Sequence, residues 1–194
     1  MRLFAERGFG ATSVADIEMA VGLQPRRGGL YKHFTNKHAL LEAAVRTYLE
    51  DARTVARQLE DLDIPSAGST EPAAVRTLVI ELGKMFLSEM DRLEHLTRVL
   101  EHDAARVPEL TDAVRTEIVD LSYRAAARVI SRLAPQISDA EATAIVVLGT
   151  LVAVRRTQWT FGAAPVGIDD DRMLDTLADV ILAALGARAP LTSR

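Results

Sequence analysis

The sequence predicts an all-α fold: an N-terminal three-helix helix-turn-helix unit followed by a larger C-terminal helical body, about nine helices in all. Three observations carry this reading. Apolar residues recur at three- and four-residue spacing along most of the chain. No stretch of useful length shows the alternation of a strand. Glycine, proline and short polar residues stand where helices should stop and start. With 194 residues, 48% of them apolar, the chain can bury a sizeable core without cross-links.

In order along the chain, the first helix ends at Gly8 and Gly10, flanked by Phe4 and Phe9. Ser13, followed three residues later by Asp16, is an N-capping signal for a second helix that runs to about Val21, with Val14, Ile17 and Val21 on its inner face. Gly22 then supplies the stop that a tight helix-to-helix turn needs. Leu30 and Phe34, one turn apart, bury the inner face of a third helix and leave Tyr31, Lys32 and the arginines outward. Thr35 or Asn36 caps a fourth, longer helix beginning near Lys37, whose inner stripe is Leu40, Leu41, Ala44, Val45 and Tyr48. The boundary between the two domains is expected after residue 48, giving 1–48 and 49–194.

The stretch from Leu62 to Pro72 has no apolar period and reads as a loop. Beyond it the pattern predicts a helix from about Pro72 to Asp91, a shorter one from about Leu93 to Ala105, and a long segment opened by Pro108 and running through Leu133. Ser138 and Glu141 form a second capping box, before an apolar helix ending near Phe161. Asp169 to Asp171 suit the positive start of a last helix that stops at Gly186.

Charge is distributed unevenly. The net charge of −4 is the sum of +2 over residues 1–50 and −6 over residues 51–194. From Gly22 to Lys37 the chain reads GLQPRRGGLYKHFTNK, with Arg26, Arg27, Lys32 and Lys37 and no acidic residue. Binding to phosphate needs local positive charge rather than a basic chain as a whole, so an acidic protein can hold DNA with this one face.

The function classes left out are as informative. The chain has no cysteine, hence no disulfide framework and no thiolate metal site. Its longest apolar run, Ala144 to Val154, is too short to span a bilayer, and no signal-peptide stretch opens the chain, so the expected location is the cytoplasm, away from any membrane. No GxSxG elbow, P-loop lysine, GxGxxG or HExxH motif occurs, so neither an enzyme nor a cofactor or metal site is expected. His95, Glu101, His102 and Asp103 read as surface charge.

The segments LFAERGFGATSVADIEMAVGL and GGLYKHFTNKHALLEAAV, in that order, closely resemble the N-terminal domain of the tetracycline-repressor (TetR) family of bacterial transcriptional regulators. The likeness covers about the first fifty residues, and RVPELTDAV further on is similar to a junction in many members. The resemblance implies a homodimer whose paired helix-turn-helix units read a palindromic double-stranded operator, and an unknown small-molecule effector that releases it. Carried over by position, Thr12 and Ser13 would meet backbone phosphate, as would Tyr31 and Lys37, while Arg27, Gly29 and Lys32 fall on the base-reading face. Gln24, Arg26 and His33 complete the expected DNA-binding set. Two departures stand out. The spacing from Gly22 to Tyr31 is two residues longer than is common in the family, which can move Arg26 and Arg27 into the turn, within reach of phosphate. The family's first helix also normally begins further upstream, so that Met1 falls in its middle.

In the body, Met85, Phe86, Met90, Tyr123 and Trp159 are the candidates for lining an effector pocket, with plain core packing as the competing role. The apolar last two helices suggest a dimer interface through Val147, Leu151, Val154, Leu174, Leu177 and Ile181. Two other functions fit the same sequence: a helical small-molecule-binding protein with impaired DNA binding, and a DNA-binding regulator that answers to a protein partner.

Overall fold

The computed structural model describes residues 1–25, 27, 29–64 and 71–186, and among them there is helix and turn but no strand. The helices are α1 (Arg2–Ala11), α2 (Val14–Ala20), α3 (Lys37–Glu60), α4 (Pro72–Asp103), α5 (Pro108–Val114), α6 (Leu121–Leu133), α7 (Ala140–Phe161) and α8 (Asp170–Gly186). A π turn over Arg115–Asp120 joins α5 to α6 without a break, so the described residues make 7 helical rods rather than about nine. Two differences account for the count. The break expected between Asp91 and Leu93 is absent: no glycine or proline stands there, and α4 runs on for 32 residues. The third helix is reduced to a 3-10 turn, Leu30–Lys32, with Gly29 at its N-cap and no side-chain cap. The glycine pair ahead of it in the sequence opposes a longer helix, since each glycine costs about 1 kcal/mol relative to alanine.

Most boundaries follow the sequence signals. Asn36 caps α3 by accepting the Ala39 N–H at 2.8 Å. Pro72 and Pro108 open α4 and α5, and Gly162, at φ +74°, closes α7. One cap is displaced by a residue: Asp139, not Ser138, accepts the Ala142 N–H at 2.8 Å at the head of α7. The predicted 62–72 loop lies partly outside the described residues.

The chain divides into two compact units, Met1–Asp61 with Leu93–Ser122, and Leu62–Arg92 with Tyr123–Arg194. The first holds a core of Phe4, Ala5, Leu41, Val45, Leu49, Leu96, Val99, Val107, Leu110, Val114 and Ile118. Burying each large side chain of this kind stabilises by about 1.5–3 kcal/mol. Asp103 is a correction to the sequence reading: it is buried in this unit, not on the surface.

The second unit packs Leu87 of α4, Leu148 and Leu151 of α7, and Met173 and Leu174 of α8 into one cluster, with Val75, Val79 and Ala178 in another. A Cβ at Gly83 would strike the Leu174 side chain, so α4 and α8 approach closely only because glycine stands there. Arg155 is buried as well. Its guanidinium meets Asp170 at 2.8 Å, Asp91 at 3.2 Å and Gln158 at 2.7 Å, tying α7 to α4 and to the head of α8. Among the described residues no helix is long and apolar enough to cross a membrane, and no group of three or more His, Asp or Glu is placed to hold a metal ion.

Candidate nucleic-acid interface

The candidate interface starts at Ser13. Its Oγ accepts the Asp16 N–H at 3.1 Å, and Asp16 Oδ2 accepts the Ser13 N–H at 2.9 Å, a reciprocal capping box that fixes the first turn of α2. The hydroxyl and backbone bonds from Ser13, aided by the nearby Arg7, hold the Asp16 carboxyl below its ordinary pKa. At the other end, Gly22 at φ +76° lets the chain leave α2 through the left-handed region. There the Gly22 N–H donates to Met19 O at 3.1 Å and the Leu23 N–H to Glu18 O at 2.8 Å.

Glu18 is the residue that sequence reasoning missed. It is 1% exposed, and its Oε1 accepts the Leu30 N–H at 3.3 Å, a direct tie from α2 to the 3-10 turn. Val21, expected on the inner face, is instead 62% exposed. The period held the signal, because Glu18 stands four residues after Val14 and next to Ile17, but its charge assigned it to solvent. Leu30 and Phe34 are half-buried as expected, and Gly29 lies over Leu23 and Glu18.

On the outward side the structure gathers Gln24, Arg27, Tyr31, Lys32 and His33, all exposed, within one turn region. Arg26 lies outside the described residues. Ser13 is exposed, but Thr12 and Lys37 point elsewhere. Thr12 is buried, with its hydroxyl donating to Gly8 O at 2.8 Å and Leu3 O at 3.2 Å, so it offers no surface to a phosphate. The Lys37 ammonium donates to Phe9 O, to Thr12 O at 2.8 Å and to Gly10 O at 3.3 Å, and sits 4.5 Å from the centre of the Phe9 ring. An ammonium has three donors, and here three carbonyls at the end of α1 take them.

In the second unit, Phe86 and Tyr123 pack against the Leu87–Leu148–Leu151–Met173–Leu174 cluster, Met90 is buried, and Met85 and Trp159 are half-buried. The residues expected at a dimer interface are drawn into the same cores. Leu151 and Leu174 are buried, Val154 and Leu177 pack on the first cluster and Ile181 on the second, and Val147 is half-buried. Their stripe is the one α7 and α8 turn inward within the unit. The large apolar residues these helices turn outward include Ile145, Val146, Phe161 and Val180, at 57, 70, 77 and 61% exposure.

Comparison with known proteins agrees with this architecture. Residues 1–44 match the family model described as bacterial regulatory proteins, tetR family. The HTH-type transcriptional repressor KstR2 of Rhodococcus jostii (strain RHA1) is 45% identical over 49 residues, which is 25% of this chain and 23% of that protein, so the match spans about a quarter of the curated relative. Two solved structures share the fold over nearly the whole chain. A protein of Mesorhizobium loti MAFF303099, assigned to the TetR-family transcriptional regulators, aligns with a TM-score of 0.60 at 20% identity over 95% of this chain and 89% of its own. The flavonoid-responsive regulator FrrA aligns with a TM-score of 0.60 at 18% identity over 99% and 93%. Residues 1–44 thus match the N-terminal domain of the tetR family of bacterial regulatory proteins, and the chain as a whole shares the fold of these solved structures.

Proposed function

We propose that this chain is a ligand-responsive repressor: a cytoplasmic homodimer, without enzymatic activity, that binds a palindromic operator through residues 1–48 and is released by a small molecule bound within residues 49–194. The observation that carries the reading is the outward group of Arg27, Tyr31, Lys32 and His33 on the turn after a doubly capped α2. Arg27 has the side chain best shaped for a bidentate bond to guanine, Lys32 the charge for the same groove, and Tyr31 a hydroxyl for phosphate. Ser13 meets phosphate at the head of α2. Lys37 contributes mainly by holding the end of α1 in place. The effector would lie among Met85, Phe86, Met90, Tyr123 and Trp159, of which Phe86 and Tyr123 border an apolar cluster of the kind that lines sites for small organic molecules.

Two experiments test this reading. Selection from a random-sequence DNA pool by the purified chain should return a palindrome, bound more weakly as salt rises. A pool that returns no preferred sequence would leave the chain a small-molecule-binding protein instead. For the dimer, Val146→Glu combined with Val180→Glu should leave a folded monomer in sedimentation, because both side chains already face solvent in the protomer. Leu174→Asp should unfold the second unit rather than merely separate protomers. A dimer unchanged by the paired glutamates would move the interface to another face.

A further inference from the structure

The end of α1 is held by an unusual pair of charges. Asp103, the last residue of α4, is 5% exposed. Its Oδ2 accepts the Phe9 N–H at 2.7 Å and its Oδ1 accepts Arg106 Nη1 at 3.2 Å. Phe9 follows the point where α1 is broken, Gly8 having φ 79° and ψ 155°, a conformation that favours glycine. Arg106 is drawn over Gly10 so closely that a Cβ there would collide with its guanidinium. From α3, Lys37 takes the carbonyls of Phe9, Gly10 and Thr12. The Phe9–Thr12 segment is thus gripped through its N–H by one helix and through its C=O groups by another.

A neutral acceptor at position 103 would serve the Phe9 N–H without the desolvation that a buried carboxylate suffers. What the charge adds is Arg106, held against Gly10. The gripped segment leads directly into Ser13, the cap of α2, so its direction sets the direction of the reading head.

Resting on the operator-binding reading above, we propose that Asp103 and Arg106 are positioning residues for DNA recognition. They touch no DNA. Their clamp on Phe9 and Gly10 fixes the angle at which α1 delivers Ser13 and α2 to the duplex, and so the half-site spacing the dimer accepts.

Gly10→Ala and Asp103→Asn in the full chain test this, assayed on the duplex that the wild type selects from a random pool and on versions with the half-sites one base pair closer or further apart. Gly10→Ala pushes on the flexible end of Arg106 and leaves Asp103 in place. Alanine is also the better helix former, so its thermal midpoint should equal or exceed that of the wild type. Affinity for the best duplex should nonetheless fall roughly tenfold, and the preference among spacings should flatten or shift. Asp103→Asn should change the spacing preference in the same direction. The proposal is overturned if both variants keep the wild-type spacing preference, or if affinity falls alike on every spacing in step with lost thermal stability, which is what a merely structural role predicts. A wild type that selects no duplex overturns the operator reading itself, and the clamp's role with it; that result is recognisable before any variant is made.

Discussion

Two glycine-bearing links in the N-terminal unit are built in opposite ways. Around Gly8 to Thr12 the polar groups are turned inward: Thr12 is buried, the buried Asp103 of α4 accepts the Phe9 N–H, and Lys37 of α3 gives its ammonium to three backbone carbonyls. Between Gly22 and His33 the polar side chains Gln24, Arg27, Tyr31, Lys32 and His33 are exposed, and Glu18 reaches the backbone at Leu30 from below. The two links divide charge between a buried joint and an exposed face. A charge fully bonded to the backbone makes a rigid joint because freeing it would leave carbonyls or an N–H without partners. A charge left in water keeps its bonding capacity for a partner.

The contrast is most exposed to attack at Lys37. Replacing it with methionine keeps the stem but leaves three carbonyls unmatched, and the unfolding free energy in urea should fall by about 2–3 kcal/mol. A loss under about 0.5 kcal/mol, the usual scale for a surface change, would mean that these carbonyls are served by water and that the joint is not rigid. Arg27→Ala should do the reverse. Specific DNA binding should weaken by about 1–3 kcal/mol, while stability should change by no more than about 0.5 kcal/mol. Equal weakening on every sequence would assign Arg27 to phosphate rather than to a base.

Ser13 stands at the border of the two stretches, and its removal should give an intermediate result. Ser13→Ala should cost about 1 kcal/mol of stability through the lost cap of α2, read from the urea midpoint; an unchanged midpoint would show that the box is redundant. The smallest effect is the pH response of Asp16. Its carboxyl is held low in the folded chain, chiefly by the Ser13 hydroxyl, so its stabilisation is complete above the unfolded carboxyl value of about 3.9 and fades as pH falls toward the lowered folded value. Comparing the wild type with Asp16→Asn from pH 7 to 3 should show a gap that closes only in the acid range. A gap that is constant with pH would remove the charge from the cap.

The legible part of the molecule was its punctuation. Ser13 with Asp16, Gly22, Asn36, Pro72 and Pro108 bound their helices because capping and turn geometry depend on a few adjacent residues. What was illegible was which polar residue goes inward. Glu18, Asp103 and Arg155 are charged residues in helical sequence, and only the bonds they find across space, at Leu30, Phe9, Asp91 and Asp170, make their burial tolerable. The same limit applied to the apolar stripes of α7 and α8. Their period identifies a buried face, but not whether it is buried by the same chain or by a second copy.

The all-helical class, most helix ends and the basic, outward-facing turn after α2 were readable from the sequence, because each follows from neighbours along the chain. Only contacts across the fold show that Leu151 and Leu174 belong to the chain's own core, that the segment after α2 holds one 3-10 turn where a helix was expected, and that Lys37 and Asp103 clamp the end of α1. Those outcomes rest on contacts between residues far apart in sequence, where burial makes an unmatched polar group costly and so selects the pairing that satisfies it.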